Sequence, residues 1–156
     1  MMIGHLPAGY LAARAIQATG ASQAMFLGVI LGSIAPDFDM LWFHFVDHGT
    51  VHHHYYLTHR PIVWLAVLLV GLVFRQALIS GIGLGGLLHL ALDSIVGKIA
   101  WLWPYSDQTT TLVEVQPTHS HWILSFLFHW TFMAEIAITL MAAVLFWRAN
   151  FGKDAA

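Results

Sequence analysis

The sequence predicts an all-α protein, a polytopic membrane helix bundle of about five helices. Three observations predict it. Apolar residues make up 58% of the 156 residues and charged residues 9%, against about 25% charged in soluble domains. The mean hydropathy is +0.71. Five apolar segments can be drawn along the chain, two of them near the roughly 20 residues that span a bilayer.

The first segment covers residues 6–19, with Pro7 tolerable in the first turn of a helix. Thr19-Gly20-Ala21-Ser22 reads as a turn with a helix cap. The second segment, 23–35, is stopped by Pro36, and the third, 61–74, is closed by Arg75-Gln76. The fourth, 77–96, carries Gly81, Gly83, Gly85 and Gly86, which allow close approach to a neighbouring helix. No strand precedes those glycines, so they are not a nucleotide loop. The fifth segment, 122–147, is followed by Arg148 and a polar tail. No repeat and no cleavable leader is evident, and residues 1–156 read as a single integral-membrane domain.

The polar residues gather in two connections, 36–60 and 97–121. If the segments alternate direction, both connections and the N-terminus share one side. Arg75, Arg148 and Lys153 fall on the other, with Arg14 leaning toward it, while Arg60 and Lys98 stay with the connections. By the positive-inside rule the connections are expected to face outward from the membrane.

Net charge is -2 with histidine neutral, so no basic surface points to nucleic acid. Cysteine is absent, which excludes disulfides and thiolate metal sites. Histidine is the anomaly: 11 residues, against 6 Lys and Arg together. His89 and Asp93 are four apart in an apolar segment, so they share a helix face. An intramembrane carboxylate costs about 3 kcal/mol and calls for a partner. Imidazole beside carboxylate is half of a divalent-metal site. Asp37 and Asp39 follow Pro36, and His54 and His59 open the third segment; all lie on the same side of the bundle, with His5 within reach. The expected metal ligands are His5, Asp39, His54, His89 and Asp93. Asp37 and His59 are expected as further ligands or as catalytic acid–base groups, and Arg60 as a substrate-binding residue. The bundle is thus expected to hold a metal site near one membrane face. Blander readings stand beside each: a polar helix end for the aspartates, an interfacial belt for His44, His48, His52 and His53, and a hydrogen bond for His89 with Asp93. Glu135 in the fifth segment is expected to be paired, and the aromatic run 101–105 to anchor at the interface.

Taken together these residues resemble the YdjM-like family of bacterial membrane-bound metal-dependent hydrolases. That family shows an early His, a Pro-Asp-x-Asp element, a His-Arg-Gly-x-Thr-His-Ser element, a His-x-x-x-Asp helix and a Trp-Pro-Phe-Ser element. Here they stand as His5; Pro36-Asp37-Phe38-Asp39; His54 to His59 with Thr58; His89 to Asp93; and Trp103-Pro104-Tyr105-Ser106. Tyr55 and Tyr56 replace the family Arg and Gly, and Arg60 replaces the Ser. A remoter similarity is to the zinc phospholipase C and single-strand nuclease superfamily, which implies zinc and a phosphoester substrate. That superfamily's further His-x-x-x-Asp/Glu pattern is not found after Asp93.

The expected function is metal-dependent hydrolysis, with zinc as the metal, of a phosphoester or lipid-linked substrate in contact with membrane lipid. The alternatives are a divalent-metal transporter or channel, with ligands spread along a transbilayer path, and a structural membrane protein with a histidine belt.

Overall fold

Seven α-helices form among residues 3–152, the residues described by the computed structural model; six follow the apolar segments, and the one over Asp39–Phe45 lies in the connection 36–60, where the sequence predicted no helix. They are α1 (His5–Ala18), α2 (Gln23–Gly32), α3 (Asp39–Phe45), α4 (Pro61–Val73), α5 (Ala77–Asp93), α6 (Trp122–Leu127) and α7 (Trp130–Asn150). Short 3-10 turns at Pro36–Phe38, His53–Tyr55 and Leu57–His59 connect α2 to α3 and α3 to α4. Among the described residues there is no strand, only an isolated antiparallel bridge between Ile99 and Thr110.

Local chemistry sets the boundaries. Gly20 takes the left-handed turn after α1 at φ 93°, and the Ser22 side chain accepts from Met25 N to cap α2. Pro61 begins α4, where its missing N–H costs no helical hydrogen bond.

The tightest packing joins α2 to α5. A Cβ on Gly28 would lie 2.9 Å from the Gly81 Cα, and one on Gly85 would lie 2.9 Å from the Gly32 carbonyl carbon. Only hydrogen fits at such a crossing. On the other side of α5, Trp64 of α4 packs with Leu90 and Ile99 into the buried core.

Two sequence expectations change here. The fifth segment is two helices, not one: α6 ends at Leu127, and α7 starts afresh with the His129 ring accepting from Thr131 N. The ring supplies an N-cap that restarts the helix. The second is the number of spans, for which length supports fewer than five. Among the described residues α7 alone is long and apolar enough to cross a bilayer, and α2 with the segment Pro36–Phe45 passes only as a pair bent by 45°. The 13 residues of α4 and 17 of α5 rise about 20 and 26 Å at 1.5 Å each, short of a core about 30 Å thick. Lys153, used above to orient the chain, lies outside the described residues.

Candidate metal centre

His5 begins α1, Asp37 and Asp39 follow α2, His59 precedes α4, and His89 and Asp93 close α5. Four helices therefore present these side chains at one common end of the bundle. His5, Asp39, His59, His89 and Asp93 are buried, and Asp37 is partly exposed.

The close approach of α2 and α5 puts the Ser33 carbonyl 2.8 Å from His89 Nδ1. A carbonyl only accepts, so Nδ1 carries the hydrogen and Nε2 of the neutral ring is left with a lone pair. That Nε2 lies 3.0 Å from Asp93 Oδ2 and 3.6 Å from Asp37 Oδ1. His59 is oriented the same way: its Nδ1 is 2.7 Å from Asp39 Oδ2, and its Nε2 is 3.5 Å from Asp93 Oδ2 and 4.0 Å from Asp37 Oδ1. Trp64 Nε1 donates to the Thr58 carbonyl at 2.6 Å, and Thr58 Oγ1 donates to Asp39, which fixes the turn that carries His59. His54 Nε2 approaches the same Asp93 oxygen at 3.6 Å. On the far side His5 Nε2 lies 3.0 Å from Asp93 Oδ1, and its Nδ1 lies 3.5 Å from Asp37 Oδ2. The His5 ring stacks on that of His89 at 3.7 Å between centroids.

All seven expected site residues other than Arg60 meet in this cluster. Arg60 instead lies 5.6 Å above the Trp103 ring and donates to the Tyr55 carbonyl at 3.0 Å. Asp39, expected as a ligand, commits Oδ2 to Thr58 and His59. His59, expected as a further ligand or an acid–base group, aims Nε2 into the cluster. His53, read as interfacial, joins it with Nδ1 3.7 Å from Asp39 Oδ1. The sequence picked out His54, five residues before His59, but nothing in the repeat marked His53 as turning inward too. His44 and His48 are exposed, as a belt would have them. His121 and His129 cap α6 and α7.

These donors suit a metal. His5 Nε2, His59 Nε2 and His89 Nε2 are buried and make no hydrogen bond within the described structure, although carboxylate oxygens lie 3.0 to 3.5 Å away. Nitrogen and oxygen ligands about 2.1 Å from one ion sit about 3.0–3.4 Å apart. Nitrogen and oxygen atoms gathered at about that spacing could hold a metal ion. Three sets of donors each lie within 4.8 Å of one another: His59, His89 and Asp93; His5, Asp37 and His89; and His53, His54 and His59.

The charge balance agrees. Burial works against protonating His59, but the hydrogen bond to Asp39 and the nearby charges of Asp39 and Asp93 hold its pKa up at about 9. Among these carboxylates, positive charge is favoured at that nitrogen. His54 is pushed down to about 3 by burial, which outweighs the pull of Asp93, and by its histidine neighbours. It offers a neutral ring, the form that ligates.

Glu135 reaches the centre from α7. Its Oε2 accepts from Ile3 N at 2.8 Å and Gly4 N at 3.1 Å. Gly4 gives α1 no side-chain cap of its own and the first turn holds no acidic residue, so a carboxylate from another helix does that work one residue before His5.

A cleft of about 630 Å³ opens beside the cluster. Asp37 and Asp93 of the cluster and His52-His53-His54 line it, together with Val96, Val115, Pro117, Trp122 and Phe126 and the polar His119, Ser120 and Ser125. The loop that carries Val115 is stitched to the end of α5: Leu112 N donates to the Ser94 carbonyl and Val113 N to the Ile95 carbonyl, both at 2.8 Å.

In comparison with known proteins, the model of the family described as YdjM inner membrane protein matches residues 1–153. No curated protein and no solved structure matches the chain.

Proposed function

We propose, from the premise that this chain belongs to the YdjM inner membrane protein family, that it is a multi-pass membrane hydrolase that uses a divalent metal, zinc by its ligands, to cleave a phosphoester. The observation that carries the reading is the convergence of His59 Nε2, His89 Nε2 and Asp93 Oδ2, with the other nitrogen of each ring held by Asp39 or by the Ser33 carbonyl. A ligand set whose rings are held in place by hydrogen bonds is how proteins build metal sites.

His59, His89 and Asp93 are the central ligands, His5 and His54 complete the set, and Asp39 is the orienting carboxylate of His59. A divalent ion held there polarises a phosphoryl oxygen and acidifies water. Asp37 is the more exposed carboxylate and borders the cleft. It takes a proton from the attacking water as the new P–O bond forms. It then returns the proton to the leaving alkoxide as the ester P–O bond breaks. The products are an alcohol and a phosphate shorter by one ester.

The transporter alternative needs ligands along a transbilayer path, whereas these gather at one end of four helices. Asp93→Asn keeps the size and removes the charge. The expected outcome is loss of most bound zinc and of phosphodiester turnover in detergent micelles, while the helix still inserts. No zinc flux into sealed vesicles is expected from either protein. Flux abolished by the substitution, without turnover, would make the protein a transporter. Unchanged zinc content would leave Asp93 a structural partner of His89.

A further inference from the structure

Resting on the hydrolase reading above, we infer that the cleft beside the metal centre takes a lipid phosphoester, its phosphate at the cluster and the start of one acyl chain along the apolar wall. Two chemistries line the cleft. Asp37, Asp93 and His54 belong to the cluster, where a bound cation would attract an anionic phosphoryl oxygen. Val96, Val115, Trp122 and Phe126 line it as well, among the polar side chains His119, Ser120 and Ser125. Those four apolar residues come from three separate stretches: the turn after α5, the loop stitched to it, and α6. A small soluble phosphoester would leave that wall facing water. A hydrocarbon chain covers it, and each buried methylene is worth about fourfold in affinity.

Size narrows the occupant. About 630 Å³ falls within the range of roughly 300–1,000 Å³ that holds one compact ligand. It admits a headgroup and the beginning of one chain, with the remainder outside. Trp122 is 67% exposed at the edge of the cleft, and Phe128 and Trp130 next to α6 are 76% and 61% exposed. Such aromatics settle at headgroup depth, so a chain leaving the cleft enters lipid.

The test uses the full-length, zinc-loaded protein in one detergent, with two non-hydrolysable probes, dodecylphosphonate and methylphosphonate. Calorimetry compares wild type with Phe126→Ala and Val115→Asn. Micelle partitioning is common to all three proteins and cancels in their ratios. The expected result is dodecylphosphonate bound more tightly than methylphosphonate by wild type. Each variant should lose about tenfold for the long probe, the equivalent of one or two methylene contacts, and keep wild-type affinity for the short one. Equal affinity of wild type for both probes, or long-probe affinity untouched in both variants, overturns the lipid assignment. Phe126 is buried, so if its variant loses both probes the Val115 variant decides. Turnover is read separately. Chain-selective binding without hydrolysis of a long-chain phosphodiester removes the hydrolase and keeps the lipid site. Hydrolysis indifferent to chain length, in wild type and variants alike, does the reverse.

Discussion

At His59 and His89 one nitrogen of each ring is committed, and the commitment decides what the other can do. Asp39 and the Ser33 carbonyl accept at Nδ1, and both rings present Nε2 to Asp93. Asp39→Asn keeps the shape but removes the charge that orients His59, so zinc should bind about 10- to 100-fold more weakly, the usual cost of losing such a partner. Competition with a chromophoric chelator measures this, and Asp93→Asn should lose more. Equal losses in the two variants would make Asp39 a ligand in its own right. The sequence showed part of this site. His89 and Asp93 were legible because four residues make one helical turn. The pairing of Asp39 with His59 spans 20 residues and two 3-10 turns, and no local period encodes it. The Ser33 carbonyl was beyond reach, because a backbone acceptor leaves no trace in side-chain chemistry.

Two contacts between helices hold the site to the bundle. The first is Glu135, which ties α7 to the start of α1. If it acts by placing His5, Glu135→Ala should weaken zinc binding in the wild-type background and add little in a His5→Ala background. Full additivity in that double-mutant cycle would mean that Glu135 stabilises the bundle without positioning the ligand. The second is the α2–α5 crossing. Gly85→Ala drives a methyl into the Val29 and Gly32 backbone, where packing leaves no slack. It should destabilise the fold by about 1–3 kcal/mol, read as a fall in melting temperature that zinc only partly restores. The glycines announced a close approach in the sequence, but not its partner. The break between α6 and α7 had no comparable signal, since residues 122–147 hold no Gly or Pro and the capping role of His129 depends on where its ring turns.

Across the whole molecule, the helix ends that carry the metal centre lie on one side, with α1 and α4 leaving it and α2 and α5 returning to it. Apolar composition identified a membrane protein, and the family match agrees. Length and composition single out α7 among the described residues, while α4 and α5 are apolar and shorter than the bilayer core. Orientation then rests on charge. Arg75 follows α4, at its end away from the centre, and Arg148 lies in the last turn of α7. Arg60 and Lys98 lie on the side of the centre. Arg14, in the half of α1 away from the centre, adds a third cation to that side, and by the positive-inside rule the centre is expected to face outward, where a lipid phosphoester of the outer leaflet would meet it. Because the chain has no cysteine, single ones report topology cleanly. Gly49 sits in an exposed turn on the side of the centre, and Ala155 lies in the C-terminal tail. An impermeant maleimide applied to intact cells should label Gly49→Cys and spare Ala155→Cys, with both labelled after lysis. Label at the tail but not at the turn would invert the topology and put the centre in the cytoplasm. The substrate pool would then be the inner leaflet, since the ligand geometry does not depend on which side of the membrane it faces.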